Sequence, residues 1–119
     1  MKNEILVVDD QPGIRLLLTD VFTSIGYGVT VAQTGKEALD KIYKQPFDLI
    51  MLDYRLPIIN GQEIINRMEH DKIMTPIILM SGLTENIKIE HMRDTMMINF
   101  IAKPFNIHDV CKMVQNILN

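Results

Sequence analysis

The chain has 119 residues, of which 47% are hydrophobic and 23% charged, and this balance is typical of one folded globular domain. The formal net charge is −3 and no two lysines or arginines are adjacent. This argues against nucleic acid as the main partner, because binding to a phosphate backbone needs clustered cations. No apolar stretch approaches the ~20 residues of a membrane span, and the short run 5–8 is no signal peptide. With a single cysteine, Cys111, the sequence predicts a cytoplasmic protein without an internal disulfide.

Short apolar runs alternate along the chain with segments of helical periodicity. The apolar runs predict five strands, at 5–8, 29–32, 47–52, 77–80 and 99–102. The periodic segments predict five helices, at 12–25, from a Thr34 cap to before Pro46, at 61–69, from Thr84 or Glu85 to about Thr95, and from an Asn106 cap to Leu118. The alternation predicts one α/β domain over residues 1–119, with no output domain. Its sheet is expected to be a flavodoxin-like, doubly wound parallel sheet with strand order 2-1-3-4-5.

Polar residues follow four of the predicted strands at the point where each strand ends. They are Asp9 and Asp10 after the first strand, Asp53 after the third, Ser81 after the fourth and Lys103 after the fifth. Parallel strands bring their carboxyl ends to one edge of the sheet, which is where open α/β sheets bind ligands. The sequence therefore predicts a site at this edge.

The chemistry of that edge is specific. Carboxylates placed close together repel one another unless a cation joins them, and oxygen ligands without histidine or cysteine favour Mg²⁺, with Mn²⁺ as the alternative. An aspartate can also act as a nucleophile toward a phosphoryl group. Lys103 would then supply positive charge and Ser81 a hydroxyl donor.

Each of these residues has a simpler interpretation when it is taken singly. Asp9 and Asp10 could be acidic residues at a helix start, Ser81 could satisfy a strand end, and Lys103 could be a solvated surface cation. The joint occurrence of all of them at one sheet edge favours a site.

These residues, together with two in the loop after Asp53, resemble the receiver domain of bacterial two-component response regulators. The resemblance covers essentially the whole chain and rests on Asp9, Asp10, Asp53, Pro57, Gly61, Ser81 and the segment from Phe100 through Lys103 and Pro104 to Phe105. Within the family, segment 5–15 is most similar to the stand-alone receivers of sporulation phosphorelays.

The resemblance implies a role for each site residue. Asp53 would be the phosphoacceptor, and Asp9, Asp10, Asp53 and the backbone carbonyl of Arg55 would hold Mg²⁺. Ser81 and Lys103 would contact the phosphoryl group, and Ser81 would switch together with the aromatic residue Phe100. The Lys103–Pro104 peptide bond would be cis.

The resemblance also implies partners. A histidine kinase would phosphorylate Asp53, a histidine phosphotransferase would accept the group, and the chain would be a monomeric phosphoacceptor that assists its own chemistry without being an enzyme. Docking would use the first helix, through Gly13, Ile14, Leu17 and Leu18. No nucleic acid or membrane partner is expected.

Three alternatives stay open. A stand-alone chemotaxis-type regulator would bind a target protein when phosphorylated. An aspartate-nucleophile phosphohydrolase usually carries a second acid two residues after the nucleophile, where this chain has Arg55. A flavin-binding or structural flavodoxin-like module would need a phosphate cradle, and segment 9–13 is acidic instead.

Several positions depart from the usual family pattern. Gly82 follows Ser81 where alanine is usual, and Met96 and Met97 replace a Gly-Ala pair that usually ends a helix. Arg55 and Leu83 would flank the path of attacking water. Because bulky or cationic side chains at these two positions would hinder water, slow hydrolysis of the phosphorylated form is predicted.

Overall fold

A computed structural model of the protein describes residues 2–82 and 97–119. These residues contain five strands and four helices. The strands are β1 (Glu4–Val8), β2 (Gly28–Ala32), β3 (Leu49–Asp53), β4 (Ile77–Gly82) and β5 (Ile98–Lys103). The helices are α1 (Pro12–Ile25), α2 (Gly35–Lys44), α3 (Gly61–His70) and α4 (Ile107–Leu118).

All five strands are parallel and form one sheet in the order β2-β1-β3-β4-β5, so the predicted topology is confirmed. Four of the five predicted helices are observed. The fifth, predicted between Thr84 and about Thr95, lies outside the described residues, as does Met96 at its expected end. Within residues 2–82 and 97–119, no helix is both long and apolar enough to cross a bilayer.

The apolar runs of the strands place side chains on both faces of the sheet. Leu6, Val8, Ile50 and Leu52 belong to a cluster with residues of α2 and α3. Their neighbours along the same strands belong to a second cluster with α1 and α4. Because successive strand residues point to opposite faces, a central strand covered on both sides reads as an unbroken apolar run. Every residue of β3 is buried, and its last residue is Asp53, which the sequence had placed just after the strand.

Side-chain caps fix where three helices begin, and these positions matter because the helices start at the same edge as the site. The Thr34 hydroxyl accepts a hydrogen bond from the Glu37 N–H at 3.1 Å, as the predicted capping box requires. Asn60 accepts one from the Glu63 N–H at 3.0 Å, and Asn106 accepts one from the His108 N–H at 2.7 Å. Each cap satisfies an amide that would otherwise lack a partner in the first turn.

One expectation about a helix face is wrong. Leu18 was expected on the docking surface of α1, but its side chain is fully buried beneath the helix and packs in the core with Phe22. The exposed leucines of α1 are Leu16, 64% accessible, and Leu17, 40% accessible. The error concerns two adjacent apolar residues, Leu17 and Leu18, where periodicity alone does not decide how deeply each is buried. At the end of α2, Tyr43 is half exposed and donates a hydrogen bond to Asp71.

The contrast between the leucines of α1 gives a test of this packing. Leu18→Ala should lower the free energy of unfolding by about 3 kcal/mol, because it leaves a cavity in the core. Leu16→Ala, two residues earlier on the same helix, should change it by less than about 0.5 kcal/mol, because that side chain is mostly in water. Urea denaturation of the three proteins measures both values. Equal losses for the two variants would contradict the orientation of α1.

Candidate functional site

Two neighbouring strands place the central carboxylates of the site. Val8 pairs with Leu52 in the parallel register of β1 and β3, so Asp9 and Asp53 come next on adjacent strands. Asp9 is fully buried and Asp53 is 5% accessible, whereas Asp10 is exposed. One carboxylate oxygen from each of the three lies within 4.8 Å of the others. The topology therefore brings together the three acids that the sequence singled out.

Lys103 reaches this group from the end of β5. Its Nζ lies 2.7 Å from Oδ2 of Asp9 and 3.4 Å from Oδ1 of Asp53, and its side chain is 19% accessible. Because β4 lies between β3 and β5 in the sheet, the long lysine side chain bridges the end of the intervening strand. The shorter contact is with Asp9, so this ion pair neutralises Asp9 more directly than it does Asp53.

Backbone groups hold the carboxylates in place. Oδ1 of Asp9 accepts a hydrogen bond from the Gln11 N–H at 2.9 Å, and Oδ1 of Asp53 accepts one from the Arg55 N–H at 3.3 Å. Arg15 in α1 donates from Nη1 to the backbone carbonyl of Asp9 at 2.9 Å. Sequence reasoning missed Arg15, since nothing in its spacing marks it apart from other charged residues on the helix.

The electrostatics of the site distinguish Asp53 from its neighbours. Burial raises the pKa of Asp53 to about 6, and the negative charge of Asp9 adds to this, while Lys103 and the Arg55 N–H only partly offset it. For Lys103, burial acts to lower the pKa, but the hydrogen bond to Asp9 and the charge of Asp53 outweigh it, so the pKa is raised. The lysine thus stays charged, whereas burial and the negative charge of Asp9 oppose the ionisation of Asp53.

This imbalance of charge fits a divalent cation. Three carboxylates face one ammonium group, which leaves two negative charges uncompensated when all of them are ionised. The donors that converge are oxygens, which are the ligands that Mg²⁺ and Mn²⁺ prefer. Asp10 is exposed and so leaves one side of the group open to solvent. The residues present therefore suit a hard cation that keeps free positions for a further oxygen ligand.

The loop from Tyr54 to Asn60 folds back tightly on the end of β3. The Gly61 N–H donates to the carbonyl of Tyr54 at 3.0 Å. A Cβ at Gly61 would lie 2.9 Å from the carbonyl oxygen of Asp53, so a side chain there would displace the end of the strand. Within the loop, Ile58 has a φ of 68° and is 99% accessible. The glycine thus fixes the loop directly beside Asp53.

The remaining residues that the sequence predicted lie at the same edge or next to it. Ser81 is in β4 opposite Ala102, and it is partly buried. Phe100 is in β5 opposite Leu79, and its ring is 49% accessible. The peptide bond between Lys103 and Pro104 is cis. Leu83, which was expected to flank the path of water, lies outside the described residues.

The pKa of Asp53 predicts how stability depends on pH when no metal is bound. Between the unfolded value of 3.8 and about 6, the folded state holds a proton that the unfolded state releases, so stability falls as pH rises through this range. Asp53→Asn should remove this loss and should stabilise the protein by about 1–3 kcal/mol at pH 7. The gain should disappear near pH 4.

Urea denaturation with a metal chelator, repeated between pH 4 and 8, measures this difference. Asp10→Asn is the matched control, because the exposed Asp10 keeps its contact with water and should give a smaller gain. A gain for Asp53→Asn that is the same at pH 4 and pH 8 would contradict the assignment of the raised pKa.

The chain matches a known protein family along almost its whole length. The family model described as the response regulator receiver domain matches residues 5–115. The sporulation initiation phosphotransferase F of Bacillus subtilis is 36% identical over 118 residues, which cover 99% of this chain and 95% of that protein. Other curated relatives are longer, and the chain spans 49% and 52% of the length of two of them.

Solved structures agree with this relationship. A chemotaxis response regulator of Vibrio cholerae superimposes with a TM-score of 0.85 at 31% identity, covering 99% of this chain and all (100%) of that one. A response regulator of Thermotoga maritima, solved in complex with Mg²⁺ and BeF, superimposes with a TM-score of 0.79 at 32% identity and covers 99% and 100% of the two chains. The fold, the acidic cluster and the sequence match agree, and the chain belongs to the response regulator receiver domain family.

Proposed function

We propose that Asp53 accepts a phosphoryl group from a phosphorylated histidine of a kinase and passes it to a histidine of a phosphotransferase. The observation that carries this proposal is the position of Asp53, a nearly buried carboxylate beside two other acids and 3.4 Å from the Lys103 ammonium. A carboxylate in this setting can attack phosphorus while positive charge receives the phosphoryl oxygens.

The transfer balances without a proton donor at Asp53. One carboxylate oxygen of Asp53 forms a bond to phosphorus, the bond from phosphorus to the imidazole nitrogen breaks, and the imidazole keeps the electron pair. Onward transfer reverses these roles with a second histidine. Asp53 must be ionised to attack, and a pKa of about 6 leaves most of it ionised at neutral pH. The chain is then a phosphoacceptor and not an enzyme that turns over a substrate.

A divalent cation would be held by Asp9, Asp10, Asp53 and the backbone carbonyl of Arg55. When bound, it would add positive charge where the phosphoryl oxygens sit, as metal ions do in phosphoryl transfer. The Thermotoga maritima response regulator was solved with Mg²⁺ beside BeF, which supports the choice of Mg²⁺, and Mn²⁺ suits the same oxygen donors. Lys103, already paired with Asp9, would contact the phosphoryl group from the side of β5.

Two further residues would respond to phosphorylation. Ser81 lies at the end of β4, one strand from Asp53, where its hydroxyl could move toward a phosphoryl oxygen. Phe100 has half of its ring in solvent on the edge strand, so it has an outward position from which to move inward. We propose that the two move together, as the two states of a receiver switch.

The relay partners follow from similarity and from the surface of α1. The similarity to the sporulation initiation phosphotransferase F supports transfer onward to a histidine protein. The docking surface is proposed to include Gly13, Ile14 and Leu17, with Leu16 in place of the buried Leu18. These residues lie in the part of α1 that follows Asp9 and Asp10, beside the site. We propose that the receiver acts as a monomer.

The similarity to the Vibrio cholerae chemotaxis regulator supports a second candidate, a receiver that binds a target protein when phosphorylated. Incubation of the phosphorylated protein with a histidine phosphotransferase separates the two. Loss of the phosphoryl group from Asp53 and its appearance on the partner histidine support the relay, whereas retention on Asp53 with binding supports the target-binding regulator.

Intact-mass spectrometry after incubation with acetyl phosphate tests the acceptor and the metal together. We expect one phosphoryl adduct on the wild-type protein in the presence of Mg²⁺ and none after chelation. Asp53→Asn should abolish the adduct, because the other buried acid of the site, Asp9, is already paired with the Lys103 ammonium at 2.7 Å. Asp40→Asn, an exposed position in α2, should behave as the wild type does. An adduct of equal yield on Asp53→Asn would refute Asp53 as the acceptor.

The lifetime of the phosphorylated form should depend on Arg55, two residues after Asp53. Arg55 is exposed, and we propose that its long cationic side chain hinders attacking water. Arg55→Asn should increase the rate of hydrolysis severalfold, followed as loss of the adduct with time. Arg67→Gln in α3 is the control for loss of an arginine elsewhere. An unchanged rate for Arg55→Asn would show that this residue does not control the lifetime.

A further inference from the structure

The first residue of α2 contacts the loop that follows Asp53. Gly35 is buried, and a Cβ placed on it would lie 2.2 Å from the carbonyl oxygen of Ile59 and 2.8 Å from the Ile59 Cβ. Real Cβ atoms essentially never come this close to another atom. The nearest obstacle is main chain, which cannot swing aside as the end of a flexible side chain can. A side chain at position 35 would therefore displace either α2 or the loop.

The conformation of this loop depends on its surroundings. Ile58 has a φ of 68°, in the left-handed region that a β-branched side chain rarely adopts. Ile58 is also almost fully accessible, so burial of its own side chain does not hold it there. The following residue, Ile59, donates its N–H to the carbonyl of Pro57 at 2.8 Å. Such backbone persists only where neighbouring structure imposes it.

Two glycine contacts hold the loop. Gly61, just after the loop, packs against the carbonyl of Asp53, and Gly35 of α2 packs against the carbonyl of Ile59. The loop also includes Arg55, whose N–H donates to the Asp53 carboxylate. Ile59 is only two residues before Gly61, so a shift at Ile59 would be passed through Gly61 to the main chain at Asp53.

We infer that Gly35 is a positioning residue for the cation site: the absence of a side chain lets α2 hold the loop so that the Arg55 carbonyl and Asp53 face one cation. This inference rests on the proposed function, since it concerns the metal that phosphoryl transfer would use. Mg²⁺ demands near-ideal octahedral geometry, so a small displacement of one ligand lowers its affinity. Gly35 touches neither the cation nor the phosphoryl group and acts only through the loop.

Mg²⁺ binding to the whole chain, followed by isothermal titration calorimetry, tests this role. Gly35→Ala should raise the Mg²⁺ dissociation constant about tenfold, as changes to residues that orient metal ligands commonly do. Ile42→Val is the matched control, because Ile42 is a buried residue in the same helix about two turns away, facing the opposite end of the sheet. It should lower the melting temperature and leave the dissociation constant within about twofold of the wild-type value, as distant sites act independently.

The outcomes separate this inference from the proposed function. If the wild-type protein binds no Mg²⁺ and gains no phosphoryl adduct, the proposed function fails and the inference falls with it. If the wild type does both and Gly35→Ala matches its dissociation constant, the inference alone is overturned. A rise of equal size in Gly35→Ala and Ile42→Val also overturns it, since the effect would then follow stability.

If Gly35→Ala does not fold, Thr34→Ala carries the test. Thr34 caps α2 through the Glu37 N–H, so its loss loosens the first turn without adding volume beside Ile59. This variant should raise the Mg²⁺ dissociation constant less than tenfold, but more than Ile42→Val does. A dissociation constant equal to that of Ile42→Val would overturn the inference.

Discussion

The structure depends on the cost of placing two carboxylates side by side at the end of a buried sheet. Asp9 is fully buried and Asp53 nearly so, and a charge removed from water is expensive unless it is paired. Lys103 supplies one positive charge, and backbone N–H groups supply hydrogen bonds to both acids. These groups stabilise one carboxylate well and leave the other short of positive charge. The remaining deficit suits a cation, which in the proposed function would supply positive charge for the phosphoryl oxygens.

The raised pKa of Asp53 shows that its ionised carboxylate, which is short of positive charge, lowers the stability of the fold. A site built for stability alone would replace this carboxylate with a neutral group, because its ionisation works against folding above pH 6. The charge is useful only if something binds to it. Structures commonly retain such unfavourable groups where activity requires them, and other parts of the fold compensate. Here the compensation comes from β1 and β3, the central strands whose apolar residues are buried on both faces.

The strands and the acidic edge could be predicted from a local signal, an apolar run followed by a polar residue where it ends. The sheet order could be predicted because right-handed crossovers leave few topologies. The docking surface of α1 could not, since Leu17 and Leu18 are adjacent apolar residues and only the structure shows that Leu18 is fully buried while Leu17 is 40% accessible. Contacts between segments far apart in the chain were also beyond the sequence. The packing of Gly35 against the carbonyl of Ile59 becomes visible only when the elements are assembled.

The site therefore combines a rigid part, at the ends of β1 and β3, with a loop that packing contacts hold in place. Asp9 and Asp53 are anchored by the hydrogen-bonded ladder of β1 and β3, which cannot shift without breaking the sheet. The loop after Asp53 has no such ladder, and its conformation at Ile58 is unfavourable by itself. Close packing at glycine supplements the few hydrogen bonds of the loop, because a main-chain contact without a side chain is short and stiff. In such an arrangement, the start of α2 controls part of the ligand geometry through shape alone, with no polar group between them.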